Sequence, residues 1–190
     1  MFSFVKPFLF NLDPETAHSL AIKSLKYNLM PGSFFSVENE EMLKTNLFGR
    51  DISNPIGLAA GFDKSAEVYN ELFKLGFGFV EVGTVTPEPQ YGNKKPRIFR
   101  LEKDEALINR LGFNNDGSEI IKKRLENNIP KGFLGINIGP NKNTDDMISD
   151  FLKCAKSFFP LGDYVTINIS SPNTCLLYTS DAADEGLGVD

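Results

Sequence analysis

Polar residues recur in this chain at one kind of place, just after a short apolar run. The segments are AAGFDKS with Lys64, VGTVTP with Thr84, GINIGPNKN with Asn137, and INISSPNT with Asn168, Ser170, Ser171 and Asn173. A further segment, INRLGFNND, adds Asn109, Asn114 and Asn115. The set is rich in Asn and poor in Asp, Glu and His. An amide side chain carries donors and an acceptor together, so several amides can read a lactam or imide edge that alternates C=O and N–H. Lys64 supplies a cation for an anionic group such as a carboxylate. Glycines in AAG, VGT and GFNN let the backbone approach a flat ligand closely. This constellation suits a planar heterocyclic cofactor and a small anionic, amide-bearing substrate. Each piece also has an ordinary reading: Asp63 as a helix cap with Lys64 solvated, SSPN as a turn, GINIG as a buried strand. Weight comes from their recurrence at the same end of successive strands. The chain has no GxxxxGK[ST] phosphate loop and no GxGxxG after a strand.

The elements that must position these groups alternate. Residues 13–29 read as a helix, with Asp13 as N-cap, Pro14 at the first helical position, Glu15 at the positive end, and an apolar stripe of Ala17, Leu20, Ala21, Leu25 and Leu29. From about residue 52, strands are expected at 54–61, 77–86, 132–139 and 163–170, with helices at 64–76, 117–128 and 145–158. Strands alternating with helices imply a parallel α/β sheet, and near-continuous apolar strands imply that both faces are buried. Residues 87–115 are in excess of a simple connection, so they read as a functional or structured insertion. Set aside, they leave four βα units, half of a (β/α)8 barrel, which typically needs about 250 residues. A doubly wound sheet is the competing architecture.

Composition narrows the class. The 190 residues are 41% hydrophobic and 24% charged, ordinary for a globular domain. A net charge of −5 offers no basic field for nucleic acid. Cys154 and Cys175 cannot build a disulfide framework, which suggests a reducing compartment. One histidine and two scattered cysteines argue against a zinc or iron–sulfur site, so no metal is expected. No apolar run approaches the ~20 residues of a membrane span. The N-terminal MFSFVKPFLF is short, apolar and aromatic, and suits the surface of a membrane.

The segments NPIGLAAGFDK, VEVGTVTPEPQYGNKKPRIFRL, INRLGFNNDG, GINIGPNK and YVTINISSPNT, in this order, resemble class 2 dihydroorotate dehydrogenase, a quinone-linked flavoenzyme family of pyrimidine biosynthesis. PFLFNLDPETAHSLAI resembles that class's helical extension, and the likeness runs over residues 1–174. It implies residues 1–44 as a membrane- and quinone-associated extension and 45–174 as the first half of an FMN-binding barrel. Ser171 would be the catalytic base toward dihydroorotate, with FMN as hydride acceptor. Ala60, Gly61, Lys64, Thr84, Asn137 and Asn168 would contact FMN. Lys64, Asn109, Arg110, Leu111, Gly112, Phe113, Asn168 and Asn173 would contact dihydroorotate or orotate. A quinone would take the electrons beneath the N-terminal helices, near Arg100 and His18, although a solvated helix position is the simpler expectation for His18. The implied location is the cytoplasmic face of the cell membrane, held peripherally.

Two departures stand out. Pro140 in IGPNK replaces a lysine common in relatives. After SPNT the chain reads CLLYTSDAADEGLGVD, which resembles a translated sequencing adapter, so residues 175–190 are expected to be foreign and the chain an incomplete, inactive fragment. The alternatives are a related FMN barrel with a soluble acceptor and a non-catalytic fragment.

Overall fold

The structure is a computed structural model that describes residues 10–29 and 41–169. Ser170, Ser171, Asn173 and the tail from Cys175 lie outside the described residues.

Helix α1 spans Pro14–Lys26. Asp13 caps it through a carboxylate that accepts the Thr16 amide at 3.0 Å, with Pro14 in the first turn. Its docked face differs from the expected stripe. Ile22 and Leu25 are buried with His18 half-buried beside them, whereas Leu20 and Leu29 are exposed. Helical spacing allows either face, and ionic and aromatic contacts described below select the one that carries His18.

Two short strands, β1 (Thr45–Leu47) and β2 (Arg50–Ile52), form an antiparallel hairpin. The sequence reading did not foresee it. Phe48 and Gly49 both take positive φ, which suits a two-residue hairpin turn. The Asn46 side chain accepts the Gly49 amide at 3.0 Å and fastens the turn. Phe48 then packs on Phe133 and Tyr164, and Arg50 pairs with Asp163. The hairpin therefore covers the N-terminal ends of two sheet strands.

The main sheet is wholly parallel. Its strands are β3 (Gly57–Leu58), β4 (Phe79–Val85), β7 (Phe133–Ile138) and β8 (Tyr164–Ile167), in the order β3-β4-β7-β8. Among the described residues each strand adds on the same side of the last, without the reversal that marks a doubly wound sheet. All six residues of β7 are buried, as both-face coverage requires. The crossover helices are α2 (Tyr69–Lys74), α3 (Ser118–Asn127) and α4 (Met147–Phe158). Val80, Val82, Leu134, Ile136 and Ile138 form the sheet's part of the core, against Leu72, Ile121, Leu125 and Phe158.

Several expected elements are shorter than read; the strand expected at 163–170, for one, keeps Tyr164–Ile167. The first strand keeps only Gly57 and Leu58 of 54–61. The helix expected at 64–76 starts at Tyr69. Its first turn is replaced by a loop because Asp63 accepts the amides of Glu67 at 2.7 Å and Val68 at 2.8 Å, and Ala66 takes positive φ. A short polar side chain that satisfies its own downstream amides competes with helix formation. The insertion is structured: β5 (Ile98–Leu101) and β6 (Ala106–Asn109) form an antiparallel hairpin, closed at its base where Gln90 and Asn115 exchange backbone bonds. Helix α1 packs against β5.

Candidate active site

A cavity of about 390 Å³ lies over the C-terminal ends of the parallel strands. Four chain segments converge on it. The loop after β3 brings Ala60, Gly61 and Lys64; the end of β4 brings Thr84; β7 brings Asn137; and the residue after β8 brings Asn168. The insertion adds Asn109, Leu111, Gly112 and Phe113 from above. Arg110 does not reach the cavity. Its guanidinium donates to the Pro96 carbonyl at 3.1 Å and lies 5.7 Å from the Phe99 ring centre, so it braces the hairpin from outside. In an extended segment, neighbours of an inward residue point outward.

Lys64 is placed by the loop that replaces a helical turn. Asp63 is 1% exposed and anchors that loop, with burial pushing its carboxyl pKa up. Lys64 turns back so that Nζ donates to the Gly61 carbonyl. Burial holds its ammonium pKa below the ordinary 10.5, with Glu15 opposing and Arg97 adding to the effect. A ligand anion beside Nζ would restore the favoured charge. Gly61 has φ +108°, and a Cβ built there meets nothing within 4 Å. The glycine therefore keeps open a space that any side chain would occupy.

The amides form one network. The Thr84 hydroxyl donates to Asn137 Oδ1 at 2.6 Å. Asn168 Nδ2 lies 3.1 Å from Thr84 Oγ1 and 3.2 Å from Asn137 Oδ1. Asn137 Nδ2 donates to Glu81 at 2.8 Å, and the hydroxyls of Tyr164 and Thr166 donate to the same carboxylate at 3.0 Å each. The pairing of β4 with β7 shifts register between Val82 and Val85. This irregularity breaks the alternation of a strand and lets Thr84 line the cavity together with Glu81 and Gly83.

Glu81 escaped the sequence reading. A signal was present: it is the sole charged residue in the strand FVEVGTV. Asn114, noted as polar but given no role, also lines the cavity, and no donor among the described residues reaches its buried Oδ1.

A second cavity of about 370 Å³ shares Gly61, Lys64, Asn109, Leu111 and Asn114 with the first and opens between α1 and the β5–β6 hairpin. His18 and Arg100 line it. His18 is not a solvated helix residue. It packs edge-on against Phe62 at 5.1 Å, and burial, then the charge of Lys64, push its pKa below 6.5. Arg100 donates to the carbonyls of Phe10 and Leu12 at 3.0 and 2.8 Å. Glu15 of α1 meets the buried Arg97 with both oxygens, which fixes the helix over these cavities. A larger cavity, about 610 Å³, lies between α1 and residues 89–91 and 114–116. Its lining mixes Lys23, Glu67 and Asp116 without the amide network, so size alone does not mark the chemistry. Among the described residues no group of His, Cys, Asp and Glu could hold a metal ion.

Fold and site together define an α/β protein with a ligand cavity at the C-terminal ends of a parallel sheet, the place where such proteins bind. The model of the dihydroorotate dehydrogenase family matches residues 42–186, and the chain belongs to that family. The match runs past Thr174 and so does not divide the chain there. The chain is 53% identical over 169 residues to the dihydroorotate dehydrogenase (quinone) of Rhodopseudomonas palustris, covering 88% of this chain and 46% of that protein. With the enzyme of the same name from Bartonella henselae it shares 56% over 166 residues, covering 87% and 45%. For that of Idiomarina loihiensis the values are 51% over 177 residues, 92% and 53%. The crystal structure of DHODH in complex with ferulenol from Eimeria tenella superposes with a TM-score of 0.79 at 44% identity, covering 85% of this chain and 45% of that one. The chain spans about half the length of the curated relatives it matches.

Proposed function

We propose that the whole protein is a quinone-dependent dihydroorotate dehydrogenase, oxidising (S)-dihydroorotate to orotate in pyrimidine biosynthesis. The observation that carries this is the gathering of Lys64, Asn109, Thr84, Asn137 and Asn168 around one cavity. On this reading the four parallel strands, with the three helices that join them, belong to one half of a (β/α)8 barrel.

The residues fit a flavin. A flat ring with an imide edge needs amides in its plane and glycine beneath it, and the cavity offers the Thr84–Asn137–Asn168 network and the open space at Gly61. Ala60, Gly61, Lys64, Thr84, Asn137 and Asn168 would hold FMN, which when bound supplies the hydride acceptor. Lys64 is proposed to hold the substrate carboxylate, with Asn109, Leu111, Gly112 and Phe113 closing over the pyrimidine ring. Arg110 would then support this loop from behind rather than touch the ligand.

Ser171 is proposed as the base, with Asn173 beside the substrate. A serine hydroxyl is a weak base, so its proton must leave through a relay or a water, and the neighbouring amides must stabilise the enolate charge that develops on the substrate. The second cavity, with His18 and Arg100, is proposed as the quinone's way in. Exposed Leu12, Leu20 and Leu29 on and beside α1 support peripheral contact with a membrane. No helix among the described residues is long and apolar enough to cross one. Residues 175–190 are proposed to be foreign on their sequence alone, and native reads across Thr174 would overturn that. The functional test is dihydroorotate oxidation by the whole protein with a quinone or with fumarate as acceptor. Turnover with quinone is expected; turnover with fumarate alone would overturn the proposal.

A further inference from the structure

Glu81 lies under the amide network and takes no part in the proposed chemistry. From the geometry we infer that Glu81 sets the hydrogen-bond direction of the whole network, so that Asn168 presents its carbonyl oxygen to the cavity and selects a ring N–H on the ligand. Glu81 is on this view a positioning residue. The inference rests on the proposed function for the ligand's identity, an imide or lactam ring.

The direction follows from donor and acceptor counting. A carboxylate only accepts, so the Asn137 atom 2.8 Å from Glu81 must be the NH2 group. Asn137 Oδ1 is thereby turned toward Thr84 and Asn168. The Thr84 hydroxyl gives its one proton to that oxygen at 2.6 Å. The oxygen of Thr84 is then an acceptor for its remaining neighbour, Asn168, at 3.1 Å. Asn168 thus faces two acceptors, Thr84 Oγ1 and Asn137 Oδ1, and must turn its NH2 toward both. A reversed Asn168 would set oxygen against oxygen at these distances. Its Oδ1 is left on the cavity side, where Asn168 forms part of the lining. Glu81 is itself held, because Tyr164 and Thr166 each donate to its other oxygen at 3.0 Å.

The network therefore transmits polarity from a carboxylate beneath the site to the surface that meets the ligand. Without an acceptor at position 81, both amides can invert together. Asn168 would then offer NH2, and the preference for a ligand N–H would vanish.

The test uses the whole protein as wild type, Glu81→Met and Glu81→Gln. Dissociation constants are measured for FMN against a flavin methylated on its imide nitrogen, by flavin fluorescence. They are measured for orotate against its N-methylated forms, by perturbation of the bound flavin's spectrum. Wild type is expected to disfavour the methylated member of at least one pair by about tenfold, the scale of one hydrogen bond. The pair that responds identifies the ring as flavin or pyrimidine. Glu81→Gln is expected to keep the preference, because its carbonyl can still accept from Asn137 while its NH2 faces two hydroxyls. Glu81→Met is expected to reduce it below about threefold. A merely structural role would lower the melting temperature and leave these ratios unchanged, and that result overturns the inference. So does a wild type without preference in either pair, or a Gln variant as indifferent as the Met variant. Should Glu81→Met fail to fold, Glu81→Ala, which also removes the acceptor beneath Asn137, must reduce the preference in the same way, and an unchanged ratio overturns the inference. A wild type that binds neither flavin nor orotate sinks the proposed function itself, a result distinct from ratios that Glu81 does not control.

Discussion

Replacing Glu15 with Gln would test how the N-terminal helix is held over the cavities. Glu15 sits in the first turn of α1 and meets Arg97, whose side chain is 6% exposed against 18% for Glu15. Arg97 Nε lies 2.6 Å from one carboxylate oxygen, and Nη2 lies 2.9 Å from the other. Lys95 adds a third contact at 2.9 Å. The Arg97 guanidinium holds the Glu15 carboxyl at about 2, against an ordinary 4.5, with burial opposing and Lys95 reinforcing the effect. That difference corresponds to up to about 3 kcal/mol in favour of the ionised folded form. Partial access to water reduces it to about 2 kcal/mol. Gln keeps the shape and one acceptor but leaves the buried Arg97 short of its counter-charge, so a loss of about 2 kcal/mol is expected at neutral pH. The sign of the pH effect is fixed. A carboxyl with a depressed folded pKa stabilises fully above its unfolded pKa of 4.5 and loses that contribution as pH falls toward about 2. The gap between wild type and Glu15→Gln should therefore be constant above about pH 5.5 and narrow steadily below it. Urea denaturation of both proteins in steps from about pH 7 to about pH 3 measures this gap. A gap that is absent at neutral pH, or that does not narrow on acidification, would refute the clamp.

Further outcomes follow from the same contacts. Lys64→Met should weaken orotate binding by at least about tenfold in a spectral titration of the flavin-loaded whole protein, because the anion loses its partner. In wild type, orotate affinity should fall as pH rises, and fall below the ordinary lysine range at 10.5, because burial has lowered the Lys64 pKa. Gly61→Ala should cost about 1 kcal/mol in denaturation because of its φ of +108°, and should weaken flavin binding by more than that, because the new methyl occupies the cavity. Equal losses in both measurements would show that Gly61 does not face the ligand. Asp63→Ala should cost about 2 kcal/mol by releasing the Glu67 and Val68 amides, read by denaturation, and should weaken orotate binding by freeing the Lys64 loop.

Elements governed by local rules were legible in the sequence. The start of α1 follows from Asp13 and Pro14, and β7, α3 and α4 lie within a residue or two of their expected ends. The gathering of Lys64, Thr84, Asn137 and Asn168 around one cavity was legible too, because polar residues at strand ends fall together whenever the strands are parallel. The misses share another cause. Residues 64–68 have helical composition, yet Asp63 takes their amides. Arg110 sits inside a run of cavity-lining residues, yet points away from the cavity. Glu81 looks out of place in an apolar strand until its three donors are seen.

The sequence by itself determined the α/β alternation, the parallel sheet and the amide-rich character of the site, because hydrophobic period, capping residues and turn residues act over a few positions. Only the tertiary structure decided which face of α1 docks, how Lys64 is aimed, and that a carboxylate lies beneath the amides. Those outcomes depend on partners far apart in the chain, Glu15 with Arg97 and Glu81 with Asn137, Tyr164 and Thr166. No local rule can see such pairs, since burial and unpaired charge select them only once the strands and helices have packed.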